Sequence, residues 1–314
     1  MEQNHSTALS RVPVIEQRSN IWVVALIAVA AGAWGVYWIP QRALADGGLT
    51  GGWSTIGQFL VPLILLSPIA LVRRMRGQAT GVGMPLIGLL FGGGIVFYSN
   101  SFLLTDVVRA LLMFYLLPVW GTLLEMLVLR RRVAPIRALT LALGLGGVWL
   151  VFGADGGWPL PVYSGDWLGL LGGMIIALAL ARMSHVQPEG VFAPLYAYCL
   201  YGTIAALVMA FVLGDAFGPP PGGEAIVSML PWLTLMAMAF IIPTNTALMW
   251  GASRVSPGLF GIVILTEVVL GVVSAALWAG ESFGWRETVG GVMILAASLS
   301  EAVVVARQPA PLEN

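Results

Sequence analysis

Glu267 is the residue of this chain best placed to do chemistry. It stands near the middle of an otherwise uncharged run, 257–279. A bare carboxylate in hydrocarbon costs roughly 2.5–3.5 kcal/mol on insertion scales. Burial therefore favours the neutral acid, the property a proton-coupling or cation-binding group needs. The same side chain could instead be a protonated donor that holds a neighbouring helix. A second constellation is aromatic. Trp34, Tyr37, Trp38 and Gln41 follow the i, i+3, i+4, i+7 spacing of one helix face. Trp34 and Tyr37 are candidates to line a substrate cavity, where rings could stack an amphipathic solute. An aromatic belt at the outer membrane interface is the competing reading, and it suits Trp38 and Gln41.

Further polar residues interrupt other apolar runs. Tyr98 and Asn100 lie in Tyr98-Ser-Asn-Ser101, and Asn245 lies in Pro243-Thr-Asn-Thr246. They either line a polar cavity or bond adjacent helices. Tyr198, sharing a face with Tyr201 beside Cys199, offers the same choice. Pro118 and Pro243 fall inside apolar runs and should kink their helices, since proline removes a backbone donor. Glu125 lies close enough to Arg130-Arg-Arg132 to pair with it. One cysteine and two histidines, His5 and His185, make no metal cluster, so neither metal nor cofactor is expected. No Gly-x-x-x-x-Gly-Lys-Ser/Thr run is present, which argues against ATP-driven pumping.

The elements that must position these residues follow from composition. Apolar residues make up 58% of the 314 and charged residues 10%, with zero net charge and mean hydropathy +0.90. Soluble domains are about 45–50% apolar and about 25% charged. The chain is therefore expected to be an all-α polytopic membrane protein embedded in a lipid bilayer. Balanced charge excludes a basic nucleic-acid face. A helix needs about 20 mainly apolar residues to cross a bilayer. Ten runs meet that need, near 21–41, 54–73, 83–104, 107–129, 135–153, 166–184, 191–213, 228–250, 257–279 and 286–306. They are too long and too uniform for barrel strands. The segment before residue 21 lacks an apolar core and a cleavage site, so the first run should remain as a span.

Arginine sets the orientation. With the N-terminus in the cytoplasm, the inner side collects Arg11, Arg18, Arg73, Arg74, Arg76, Arg130, Arg131, Arg132, Arg137, Arg182, Arg254 and Arg307. The outer side keeps Arg42, Arg109 and Arg286. Both termini are then cytoplasmic, with tails 1–20 and 307–314. The location expected is the cell inner membrane.

The runs also repeat. At an offset of 150 residues, Ala110–Trp120 and Phe260–Leu270 both follow a similar join and open a long apolar stretch, and each is followed by a glycine-rich final run. Five spans at 21–153 and five at 165–306 make a duplicated unit. Because five is odd, the halves are inverted, as in many secondary transporters. Here the chain resembles the EamA-like family of the drug/metabolite transporter superfamily. The carrying residues are Ala33-Trp-Gly35, Phe114-Tyr-Leu-Leu-Pro-Val-Trp120, Gly165-Asp166, Leu265-Thr-Glu-Val268 and Gly280-Glu281. Glu267 and Glu281 keep the family's spacing of two acids. Leu117 and Arg131 replace those acids in the first half, and Val268 replaces a proline. The second of these motifs adds Tyr115 to the cavity candidates.

The resemblance implies a secondary transporter, an exporter of a small metabolite such as an amino acid or related amphipathic compound. It would work by alternating access, driven by a proton or cation gradient, as a monomer or homodimer, and would not be an enzyme. A membrane-embedded sensor or scaffold, or a lipid-modifying enzyme, is the alternative.

Overall fold

In lipid no water is available to the backbone, so each apolar run must satisfy its own N–H and C=O groups, and a helix does this within one segment. The computed structural model describes residues 21–117, 119–121, 123, 135–152, 161–183, 190–255, 257–280 and 284–307, and among them every regular element is helical. In order these are α1 (Ile21–Gly35), α2 (Trp38–Asp46), α3 (Trp53–Met75), α4 (Pro85–Leu104), α5 (Val107–Phe114), α6 (Pro135–Phe152) and α7 (Ser164–Met183). Then come α8 (Phe192–Leu213), α9 (Gly223–Met236), α10 (Ile242–Ala252), α11 (Pro257–Ile264), α12 (Thr266–Ser274) and α13 (Trp285–Arg307). Pro118, Glu125, His185 and the segment 1–20 lie outside the described residues.

Among the described residues, six helical stretches are long and apolar enough to cross a membrane. They are Ile21–Asp46, Trp53–Met75, Pro85–Leu104, Phe192–Phe217, Gly223–Ala252 and Leu259–Ala279. Their outward faces are greasy: Phe211 is 90% exposed, Trp22 77% and Val227 72%. Water would penalise so much exposed apolar surface, whereas lipid does not. The molecule is a multi-pass helical membrane protein.

Proline shapes two of the interruptions. Pro40 has no N–H to offer the Val36 carbonyl, which instead accepts from Ile39 N–H at 3.1 Å. Tyr37 N–H likewise bonds Trp34 at 3.1 Å. The chain overwinds here, so α1 stops at Gly35 and α2 restarts at Trp38. At Pro243 the outcome differs. A π-helical turn, Ala237–Ile241, joins α9 to α10, and the backbone stays helical through Ile242. Such a turn absorbs a missing donor without ending the helix.

Packing centres on α4, which lies against α7 and α8. On the other side α1 packs on α10, α11 and α12. Helix α5 touches α7 and α12, α3 touches α8 and α9, and α6 pairs with α13. The closest approaches run through glycine. A Cβ on Gly173 would collide with the Phe114 carbonyl, so α7 can reach α5 only at a residue without a side chain.

Candidate functional site

Helix α11 ends where Leu265 N–H bonds the Ile262 carbonyl at 3.2 Å, a tightened turn. The Thr266 hydroxyl then reaches back to the Val263 carbonyl at 2.8 Å and across to the α1 carbonyl of Ala28 at 3.2 Å. Hydroxyls that bond backbone in this way bend helices. The bend starts α12 afresh and puts Glu267 in its first turn. There the positive end of the helix dipole favours a carboxylate.

The Glu267 side chain is 7% exposed. Tyr98 donates to Oε1 at 3.0 Å from α4, and Tyr115 donates to Oε2 at 2.8 Å from the turn after α5. Among the described residues, no arginine is one of its partners. Tyr98 is held by rings: it stacks on Phe114 with centroids 4.0 Å apart and tilts against Phe102 at 4.7 Å. Glycine sets the depth of α12 against α1. A Cβ on Gly35 would strike the Glu267 carbonyl and come within 2.8 Å of Gly271 N. Two turns beyond Glu267, the Trp38 indole N–H donates to Ser274 Oγ at 2.9 Å and ties α2 to the same helix.

A second, uncharged cluster lies at the α1–α2 break. The Tyr37 hydroxyl is 2.9 Å from Gln41 Oε1, 2.9 Å from Ser99 Oγ and in contact with Gln58 Oε1. It has one proton for three neighbours, so its partners must share donors and acceptors. Gln58 Nε2 donates to Ser99 at 3.3 Å, and Gln41 Nε2 donates to Ser54 at 3.1 Å and Thr55 at 2.8 Å. All six side chains are at most 2% exposed. Rings connect the two clusters: Tyr37 faces Phe102 at 6.1 Å, and Phe102 faces Tyr98. Trp34 packs on Tyr37 at 5.0 Å and on Phe240 at 5.4 Å, and its indole N–H is buried without a partner.

The structure thus brings together Trp34, Tyr37, Tyr98, Tyr115 and Glu267. It seats Trp38 and Gln41 inside the protein, at 5% and 0% exposure, and not in an interfacial belt. Asn100 and Asn245 are not beside Glu267's carboxyl. Each turns its amide onto the carbonyl one turn back in its own helix, Val96 and Ile241, at 2.8 Å. Tyr198 packs on Phe59 at 5.0 Å, its hydroxyl buried without a formed hydrogen bond. Gln58, Ser99, Ser54, Thr55 and Ser274 were not singled out in the sequence as site residues. They are small hydroxyl or amide side chains within apolar runs, and no spacing within their own helices betrays a partner on another.

Away from Glu267 an ion pair ties α5 to α7. Asp166, in the first turn of α7, takes Arg109 Nη2 at 2.8 Å and Nε at 3.2 Å. It also takes the Thr105 hydroxyl at 2.6 Å and the backbone N–H groups of Val162 and Tyr163, both at 3.1 Å.

An all-helical membrane bundle with a buried acid at a helix break, facing hydroxyls from other helices, defines the class: a polytopic membrane protein with a polar site in its core. Comparison supplies the family. Residues 21–153 match the model of the EamA-like transporter family, so the chain carries an EamA-like unit of the drug/metabolite transporter superfamily. The match points to a membrane transporter of this type. No curated protein matches the chain. A solved protein crystal structure aligns over 90% of this chain and 99% of that one, with TM-score 0.51 and 16% identity. It speaks to the fold alone.

Proposed function

We propose that the protein is a secondary active transporter that exports a small amphipathic metabolite, with Glu267 as its coupling group. One observation carries this reading. Glu267 sits on a helix of the second five-span unit, and both of its hydrogen-bond donors, Tyr98 and Tyr115, belong to the first. Separating the units must break both bonds and expose the carboxyl. An alternating-access cycle would therefore change the acid's surroundings each time it turns over, which is what coupling to a proton or cation requires.

The packing supports two inverted units at 21–153 and 165–306 in ten spans. Exchange each span for its counterpart in the other unit, and α4 on α7 becomes α10 on α1. In the same way α5 on α7 becomes α12 on α1, and α4 on α8 becomes α9 on α3. Three further cross-unit contacts, α3 on α8, α5 on α12 and α6 on α13, map onto themselves. Both members of every pair are contacts of this structure. The helix ends at Phe114 and Ile264, 150 residues apart, fit the same exchange. The arginine distribution supports cytoplasmic termini in an inner-membrane protein.

The test is transport in proteoliposomes against a panel of labelled amino acids and amines. Accumulation that follows an imposed proton or cation gradient and collapses with an ionophore is expected. Uptake of every solute at the same rate with and without a gradient would contradict the reading.

A further inference from the structure

The buried side chains are charged in only one sense. Among the described residues the buried ionisable acids are Asp166 and Glu267, and no arginine is buried. Asp166 is already answered by Arg109. Glu267 meets hydroxyls alone. A solute bearing a carboxylate would lose its hydration here and find no cation in return. An ammonium would find Glu267. The far end of the aromatic wall is neutral and rich in amide and hydroxyl groups, and there the Trp34 indole N–H stands 4% exposed with no acceptor. A buried donor left unpaired is costly, so it marks where an acceptor fits. Between these ends lie the rings of Tyr37, Phe102, Tyr98 and Phe114, at most 6% exposed and packed on one another; parting the two units frees ring faces on which a flat apolar body stacks.

We propose that the site takes an amphipathic amine without an ionised carboxylate, whose ammonium meets Glu267 and whose neutral acceptor, an amide or carbonyl oxygen, takes the Trp34 N–H. This rests on the transporter reading for its site and narrows that reading's solute from amino acids to their uncharged-carbonyl relatives and other amines. Trp34 becomes the residue that reads the acceptor, while Glu267 reads the charge.

Four probes share one indole frame: tryptophan amide, tryptamine, tryptophan and indole-3-acetate. Equilibrium binding of each to the purified full-length protein in detergent needs no gradient. Tryptophan amide should bind tightest. Tryptamine, which lacks the acceptor, should bind about tenfold more weakly. Tryptophan and indole-3-acetate should bind at least about a hundredfold more weakly, for want of a buried cation. Trp34→Phe keeps a ring and deletes the N–H. It should bring the amide down to tryptamine's affinity and leave tryptamine unchanged, which also shows that the variant is folded. Tryptophan or indole-3-acetate binding as tightly as the amide would overturn the proposal. So would equal weakening of amide and tryptamine by Trp34→Phe, or failure of both amines to bind. The predicted order of binding without any gradient-driven accumulation would instead leave this inference standing and remove the transporter reading. Glu267-dependent accumulation of a carboxylate solute would do the reverse.

Discussion

Two buried acids of this molecule have opposite surroundings. Asp166 is 0% exposed and accepts from an arginine, a threonine hydroxyl and two backbone N–H groups. Every one of those donors suits an ionised carboxylate in a fixed position, so this acid is built to stay charged and hold α5 to α7. Glu267 is nearly as buried but has only two phenol donors and no cation. Among the described residues no cation answers its charge, which leaves that part to a proton or a visiting ammonium. The difference teaches where to look for function in such a bundle: at the acid whose partners leave its charge unanswered. Satisfied networks stiffen a structure, and unsatisfied ones are poised to change partner.

The comparison can be broken by mutation, and the largest effect should come from the satisfied acid. Asp166→Ala leaves the Arg109 guanidinium, 19% exposed, without its carboxylate. Removing one member of a buried pair costs about 3 kcal/mol or more, so the thermal midpoint in detergent and the folded yield should drop sharply. Gly35→Ala comes next. Its Cβ must displace the Glu267 carbonyl, and overpacking of this kind costs about 1–3 kcal/mol. Crosslinking between cysteines placed on α1 and α12 should show the helices pushed apart. Tyr98→Phe removes one donor to Glu267 and keeps the stack on Phe114, for about 1 kcal/mol in chemical unfolding. Glu267→Gln should be mildest, within about 1 kcal/mol of wild type, because a neutral amide still accepts from a phenol and brings no charge into the core. Equal destabilisation by Asp166→Ala and Glu267→Gln would erase the contrast.

Much of this arrangement is legible in the sequence because the bilayer enforces it. An apolar run of membrane-spanning length has no other way to satisfy its backbone, so runs such as 54–73 and 83–104 announce α3 and α4. Glu267 is conspicuous for the same reason, a lone charge among aliphatic neighbours. Partnership is harder to read. Arg109 and Asp166 lie 57 residues apart, and nothing in either neighbourhood names the other. Gln58 and Ser99 meet Tyr37 only because α3 and α4 pack beside the α1–α2 break, and that break comes from Pro40, whose effect depends on one carbonyl. Asn100 and Asn245 show the converse. Their amides fold back onto their own helices, and composition cannot separate such an asparagine from one that faces a solute.

The central claim is that Glu267 couples transport to a gradient and does not merely hold two units together. Wild type and Glu267→Gln should be compared in the same proteoliposomes, with solute exchange at zero gradient measured beside accumulation under an imposed proton or cation gradient. The account predicts that the variant still exchanges solute, at a lower rate, but loses accumulation at least about tenfold, the equivalent of one lost charged interaction. Accumulation by Glu267→Gln equal to that of wild type would contradict it.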